Sequence, residues 1–108
     1  MTWVFQPGLL DDEVVTVEVV GIPASSALLE LAQDVAAHAS AGKTVVVDLD
    51  GLVLTRPSAM RDFIAQLNRC HAGGEVVLAC RRSTGRQLLR RWAAGSIPVV
   101  GADVVSAG

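Results

Sequence analysis

No apolar run in this sequence is long enough to cross a membrane. Stretches such as TVVVDL fall far short of the roughly 20 residues a spanning helix requires, so membrane insertion is not expected. The opening MTWVFQPGLLDDE lacks a basic start and an extended apolar core, and reaches acids by residue 11, so it does not read as a signal peptide. Only two cysteines are present. Cys70 and Cys80 cannot fill a four-ligand zinc site without histidines, and His38 and His71 stand at no zinc-like spacing. Neither metal nor cofactor is therefore expected. Both cysteines close apolar patterns and read as small buried hydrophobes, with a reactive thiol or a Cys70–Cys80 bridge as the alternatives. A cytoplasmic, bacterial-type interior is the default expectation.

Aromatics are scarce, at 4%, whereas Val, Leu and Ala bring the hydrophobic share to 51%, enough for a packed core. With 108 residues and no visible linker or repeat, residues 1–108 are expected to form one domain. A net charge of −2 argues against general nucleic-acid binding. That charge is unevenly placed. Residues 1–50 hold eight acids against a single lysine, and residues 51–108 hold eight arginines against three acids. Arg81, Arg82, Arg86, Arg90 and Arg91 crowd one segment. They read either as a solvated helix face or as a docking surface for an acidic partner or a phosphate.

Hydrophobic periodicity organises the rest. EVVTVEVV, residues 13–20, is β-branched with Val15, Val17 and Val19 alternating, the pattern of a half-buried strand. The preceding TWVFQ is placed to pair with it as a hairpin. Gly21 and Pro23 break the strand, after which Ser25 or Ser26 is expected to cap a helix carrying Leu28, Leu31, Ala32 and Val35. Val45 to Leu49 shows no alternation and reads as a central strand buried on both faces. Its AGKT prefix resembles the end of a phosphate-binding loop. The glycine needed five residues before Gly42 is Ala37, however, and a strand follows where a helix should, so that match is rejected.

From Pro57 to Cys70 the helical pattern is strongest. Met60, Phe63, Ile64 and Leu67 share one face, while Arg61, Asp62, Gln66 and Arg69 point away. HAGG stops that helix. EVVLAC is another strand, Ser83 or Thr84 is expected to cap a third helix ending at Gly95, and IPVV supplies a last short strand. This alternation predicts an α/β domain with a mainly parallel or mixed sheet of four to five strands.

Asp48-Leu49-Asp50-Gly51, at a strand end, resembles the nucleophile motif of haloacid-dehalogenase-type phosphatases. Asp48 would be the nucleophile and Asp50 the acid/base. The motif normally continues with Thr, and here Leu52 follows the glycine. No lysine lies downstream of Asp50, and the remaining acids Asp62, Glu75 and Asp103 are scattered singly, too few to hold magnesium against a phosphate. The sequence is not expected to be an enzyme.

VVVDLDGLVLTRPSAM, followed by helix, GGEVVLAC and helix, resembles over residues 13–100 the STAS domain of bacterial anti-sigma-factor antagonists. Asp48, Leu49, Leu52 and Leu54 fall on that family's strand end and apolar anchors, Gly21 on its turn glycine, and Met60 on the apolar residue after its phosphorylated serine. Ser58 falls on the serine itself. The resemblance implies a STAS-like domain with helices packed mostly on one sheet face. It also implies an anti-anti-sigma factor that binds an anti-sigma serine kinase and so releases a sigma factor for transcription. Phosphorylation of Ser58 would then act as the switch. Arg56, Pro57, Ser58, Ala59 and Arg61, with the turn of Gly21, Ser25 and Ser26, would form the contact surface.

The sequence departs from that pattern around the acceptor. Arg56, Pro57 and Ala59 stand where the family has an acid, a first serine and a glycine, the acid of the Gly21 turn is missing, and the family's closing helix is not expected, having no obvious room after Val100. The alternative is a STAS subunit without a phosphorylation switch, such as the accessory subunit of a lipid-transport ATPase or a scaffold of a sensor assembly. On physical grounds alone, Arg56 before a proline suits an N-cap and Pro57 suits the first helical position, which places Ser58 in the first turn. Negative charge there gains roughly 0.3–1 kcal/mol from the helix dipole. A locally hydrogen-bonded serine fits that position equally well.

Overall fold

The computed structural model describes residues 1–8, 13–53, 57–70 and 75–101, the side chain of Cys70 excepted. Five strands and three helices alternate along the chain: β1 (Thr2–Pro7), β2 (Val14–Gly21), α1 (Ser25–Ser40), β3 (Thr44–Leu52), α2 (Pro57–Cys70), β4 (Glu75–Ala79), α3 (Ser83–Ala93) and β5 (Val99–Val100). The strands stand in the sheet in their chain order. β1 pairs antiparallel with β2, and every later neighbour is parallel. The fold is thus a small α/β domain with a five-stranded mixed sheet, as the alternation of patterns predicts.

Each crossover through a helix delivers the next strand to the same side of the last. Because such crossovers are right-handed, all three helices land on one face of the sheet. The core records this. Val17 and Val19 of β2, Val45, Val47 and Leu49 of β3, and Val76 and Leu78 of β4 meet side chains of α1, α2 and α3 in one apolar cluster. Period-two alternation then turns Thr16, Glu18, Val46 and Asp48 to the opposite, helix-free face. Trp3 and Phe5 of β1 pack against the edge of the same core. Each also reaches α1: Trp3 Nε1 donates to Asp34 Oδ2 at 3.0 Å, and the Phe5 ring lies 4.4 Å from that of His38.

The helix faces follow their sequence spacing. α1 buries Leu28, Leu31, Ala32, Val35 and Ala39, and α2 buries Met60, Phe63, Ile64 and Leu67. The caps do not follow the sequence expectation. Ala24, with extended φ −124° and ψ 138°, occupies the N-cap of α1, and Arg82 that of α3; neither makes a side-chain capping bond. Ser25 and Ser83 are already helical, so their hydroxyls stand one position too late to cap. α3 ends on Ala94, a non-glycine residue at φ 50°, with Gly95 at φ 81° just behind it. Arg56, Leu54 and the HAGG stop lie outside the described residues. β5, expected over four residues, contains two.

Candidate functional site

Open α/β sheets present their sites at the carboxyl ends of their parallel strands. Gly21 closes β2 at φ +113°, a conformation that side chains with a Cβ rarely adopt, and an added Cβ would meet Met1 Cα at 3.1 Å. Its carbonyl accepts the Val53 N–H at 2.9 Å, which binds the ends of β2 and β3 together. The start of α2 lies against the start of α1: Ala59 and Ser25 line one groove of about 270 Å³, with Leu28 and Phe63 at its apolar floor.

Ser58 is exposed in the first turn of α2, behind an exposed Pro57, and Arg61 one turn on is exposed as well. Ser25 and Ser26 are exposed at the start of α1. Ala59 departs from the expected contact set. Only 9% of it is accessible and it belongs to the core cluster, at the edge of the groove it lines with Ser25. Gly21 is half-buried, and its demonstrable role is conformational. Ile22, inside the expected Gly21–Ser26 turn, is 63% exposed, and Val53, which sequence reasoning passed over, is 41% exposed. Ile22 had a visible signal, an isoleucine between Gly21 and Pro23 in a turn that neither strand nor helix can bury.

Asp48 and Asp50 sit on the helix-free face, away from the α1–α2 groove. Their carboxylates serve the backbone. Asp48 Oδ1 accepts the Asp50 N–H at 3.0 Å, and Asp50 Oδ1 accepts the Arg81 N–H at 2.6 Å, tying β3 to the end of β4. The Arg81 guanidinium stands 3.9 Å from Asp50. Partial burial raises the Asp48 pKa above its ordinary 3.8, the Asp50 N–H opposes that rise, and the neighbouring acids Asp50 and Glu18 add to it. Among the described residues, no three His, Cys, Asp or Glu side chains gather as a metal ion would require.

The arginine segment is neither wholly a solvated face nor wholly a docking surface. Arg86 Nη1 donates to the carbonyl of Cys80 at 3.1 Å and to that of Arg81, and Arg90 Nη2 donates to the Val99 carbonyl at 3.3 Å. These side chains fasten α3 to the ends of β4 and β5, while Arg82 and Arg91 remain exposed. Cys80 is fully buried, and its thiol donates to the Arg82 carbonyl at 3.7 Å. Burial pushes that thiol's pKa up, which suits a packing residue.

Neither a family model nor a curated protein matches this sequence. A solved structure does match the fold: that of the anti-sigma factor antagonist SpoIIAA in its unphosphorylated form. The similarity covers 96% of this chain and 92% of that one, with a TM-score of 0.59 and 16% sequence identity. This is the STAS fold. At that identity the likeness concerns architecture, and it agrees with the STAS resemblance read from residues 13–100. No helix among the described residues is long and apolar enough to cross a membrane.

Proposed function

We propose that this STAS-fold chain is a non-catalytic, cytoplasmic interaction module of the anti-anti-sigma type. It binds an anti-sigma serine kinase through the surface around Ser58 and thereby frees a sigma factor. The observation that carries the reading is Ser58 itself. It is an exposed hydroxyl in the first turn of α2, next to Ala59, which shares a groove with Ser25 of α1, on a fold shared with an anti-sigma factor antagonist. Ser58, Arg61, Ser25 and Ser26 supply the polar part of the contact, and exposed Pro57, Ile22 and Val53 supply apolar surface. A phosphate on Ser58 would be tolerated by the helix dipole within the chain. At an interface its two added charges would have to be desolvated, so it would separate the partners.

A second reading, a STAS subunit of another ATPase assembly with no phosphate switch, is favoured by the absence of acids beside Ser58. Arg56, Pro57 and Ala59 replace the polar surroundings of the family's acceptor, and Ala59 is packed inward. One experiment separates the two. The immobilised chain is used to capture its partner from the native host, and the bound protein is identified and incubated with ATP. An ATP-using serine kinase that phosphorylates Ser58, loses its target in Ser58→Ala, and binds Ser58→Asp at least about tenfold more weakly supports the first reading. A transporter ATPase that binds Ser58→Asp as tightly as the parent protein supports the second.

A further inference from the structure

Asp62 and Arg69 stand seven residues apart on α2, two helical turns, and so project from one face. Both are exposed, and among the described residues neither has an ion pair or a hydrogen bond within the chain. Between them lies the α1–α2 groove, to which Leu28 and Phe63 contribute apolar floor and Leu29, 44% exposed, an apolar wall. Ala65, midway between the two charges, is exposed and small enough for another helix to approach closely. The face therefore combines one unpaired acid, one unpaired base and an apolar centre. A partner of a single charge sign would leave one of those charges without a counter-ion.

We propose that this face is a contact between two copies of the chain, formed by α2 packing antiparallel to α2 of the second copy across a two-fold axis. With the axis passing between Ala65 and Gln66, Asp62 and Arg69 are equally far from it along the helix. Asp62 of each copy then meets Arg69 of the other, so one acid and one base provide two reciprocal ion pairs. Ala65 permits the axes to close to about 8–10 Å, and Leu29 from each copy covers the apolar floor. Two-fold symmetry makes the surface its own complement, a condition the charge order along α2 meets. Ser25 lines the same groove, so a dimer would compete with a partner held there, but the test below involves no partner and no phosphate on Ser58.

Sedimentation velocity on the full chain, from micromolar to several hundred micromolar, tests it, with circular dichroism confirming that every variant folds. The parent protein is expected to dimerise within that range. Asp62→Arg and Arg69→Asp each place like charges opposite one another and are expected to weaken the dimer at least about tenfold. The double exchange Asp62→Arg/Arg69→Asp restores both pairs with reversed polarity, and should recover the parent dissociation constant to within about threefold. A parent protein that stays monomeric throughout overturns the proposal. So do single variants that dimerise unchanged, or a double exchange that remains monomeric.

Discussion

Arg61 and Phe63 are two residues apart on one helix and have opposite relations to water. Phe63 is only 1% exposed, within the core cluster, whereas Arg61 is exposed. Phe63→Ala leaves a cavity that the surrounding side chains only partly refill, and it should cost about 3–5 kcal/mol in urea unfolding. Arg61→Ala should stay within about 0.5 kcal/mol. Asp48 permits a test with a sign. Its native pKa is raised, so the folded state holds its proton more tightly than the unfolded chain does. The ionised form therefore weakens the fold above the native pKa, and this penalty is relieved as pH falls through that value. Asp48→Asn keeps an oxygen to accept the Asp50 N–H and has no charge to bury. It should be more stable than the parent at neutral pH, with the gain vanishing in acid, as paired urea titrations would show. The buried set of α2 was legible because its spacing repeats the helical period. The bond from Arg81 N–H to Asp50 was not, since 31 residues separate the partners and only the pairing of β3 with β4 brings them together.

Among the elements, strands and helix faces were readable from periodicity, and their ends were not. Serines at the starts of α1 and α3 suggested caps, but backbone geometry puts the extended residue one place earlier, at Ala24 and Arg82. At the end of α3 the left-handed position falls on Ala94, and Gly95 comes one residue later. Alanine in that conformation carries a steric cost that glycine does not, so Ala94→Gly should raise stability by about 1 kcal/mol in thermal or urea unfolding. The same region explains how a strand of two residues persists. Leu78 and Cys80 donate backbone bonds to Pro98 and Val100, Arg90 holds the Val99 carbonyl, and Asn68 of α2 donates to Ser96, whose hydroxyl donates to Ala93. IPVV looked like an ordinary strand because hydrophobic pattern reports which side chains seek the core. It carries no information about which backbone bonds arginines replace.

For the whole molecule, the division of charge acquires a location. Glu18, Asp48 and Asp50, all from the acidic half, gather on or beside the helix-free side of the sheet, while five of the second half's eight arginines, from Arg81 to Arg91, cluster around α3. The sequence showed the asymmetry but could not show that the sheet would separate Asp48 from Ser58, the two residues around which its competing motifs were built. The strand order β1-β2-β3-β4-β5 has a consequence of another kind. Every strand finds its sheet neighbour in the strand synthesised just before it, and none waits for a later segment to be inserted beside it. A chain leaving the ribosome can therefore add one strand–helix–strand unit after another to an existing edge. Each addition closes only the short loop that the intervening helix spans, so the entropy of loop closure stays small at every step. This molecule can assemble in the direction of its own translation, with the two-residue β5 as the last and smallest increment.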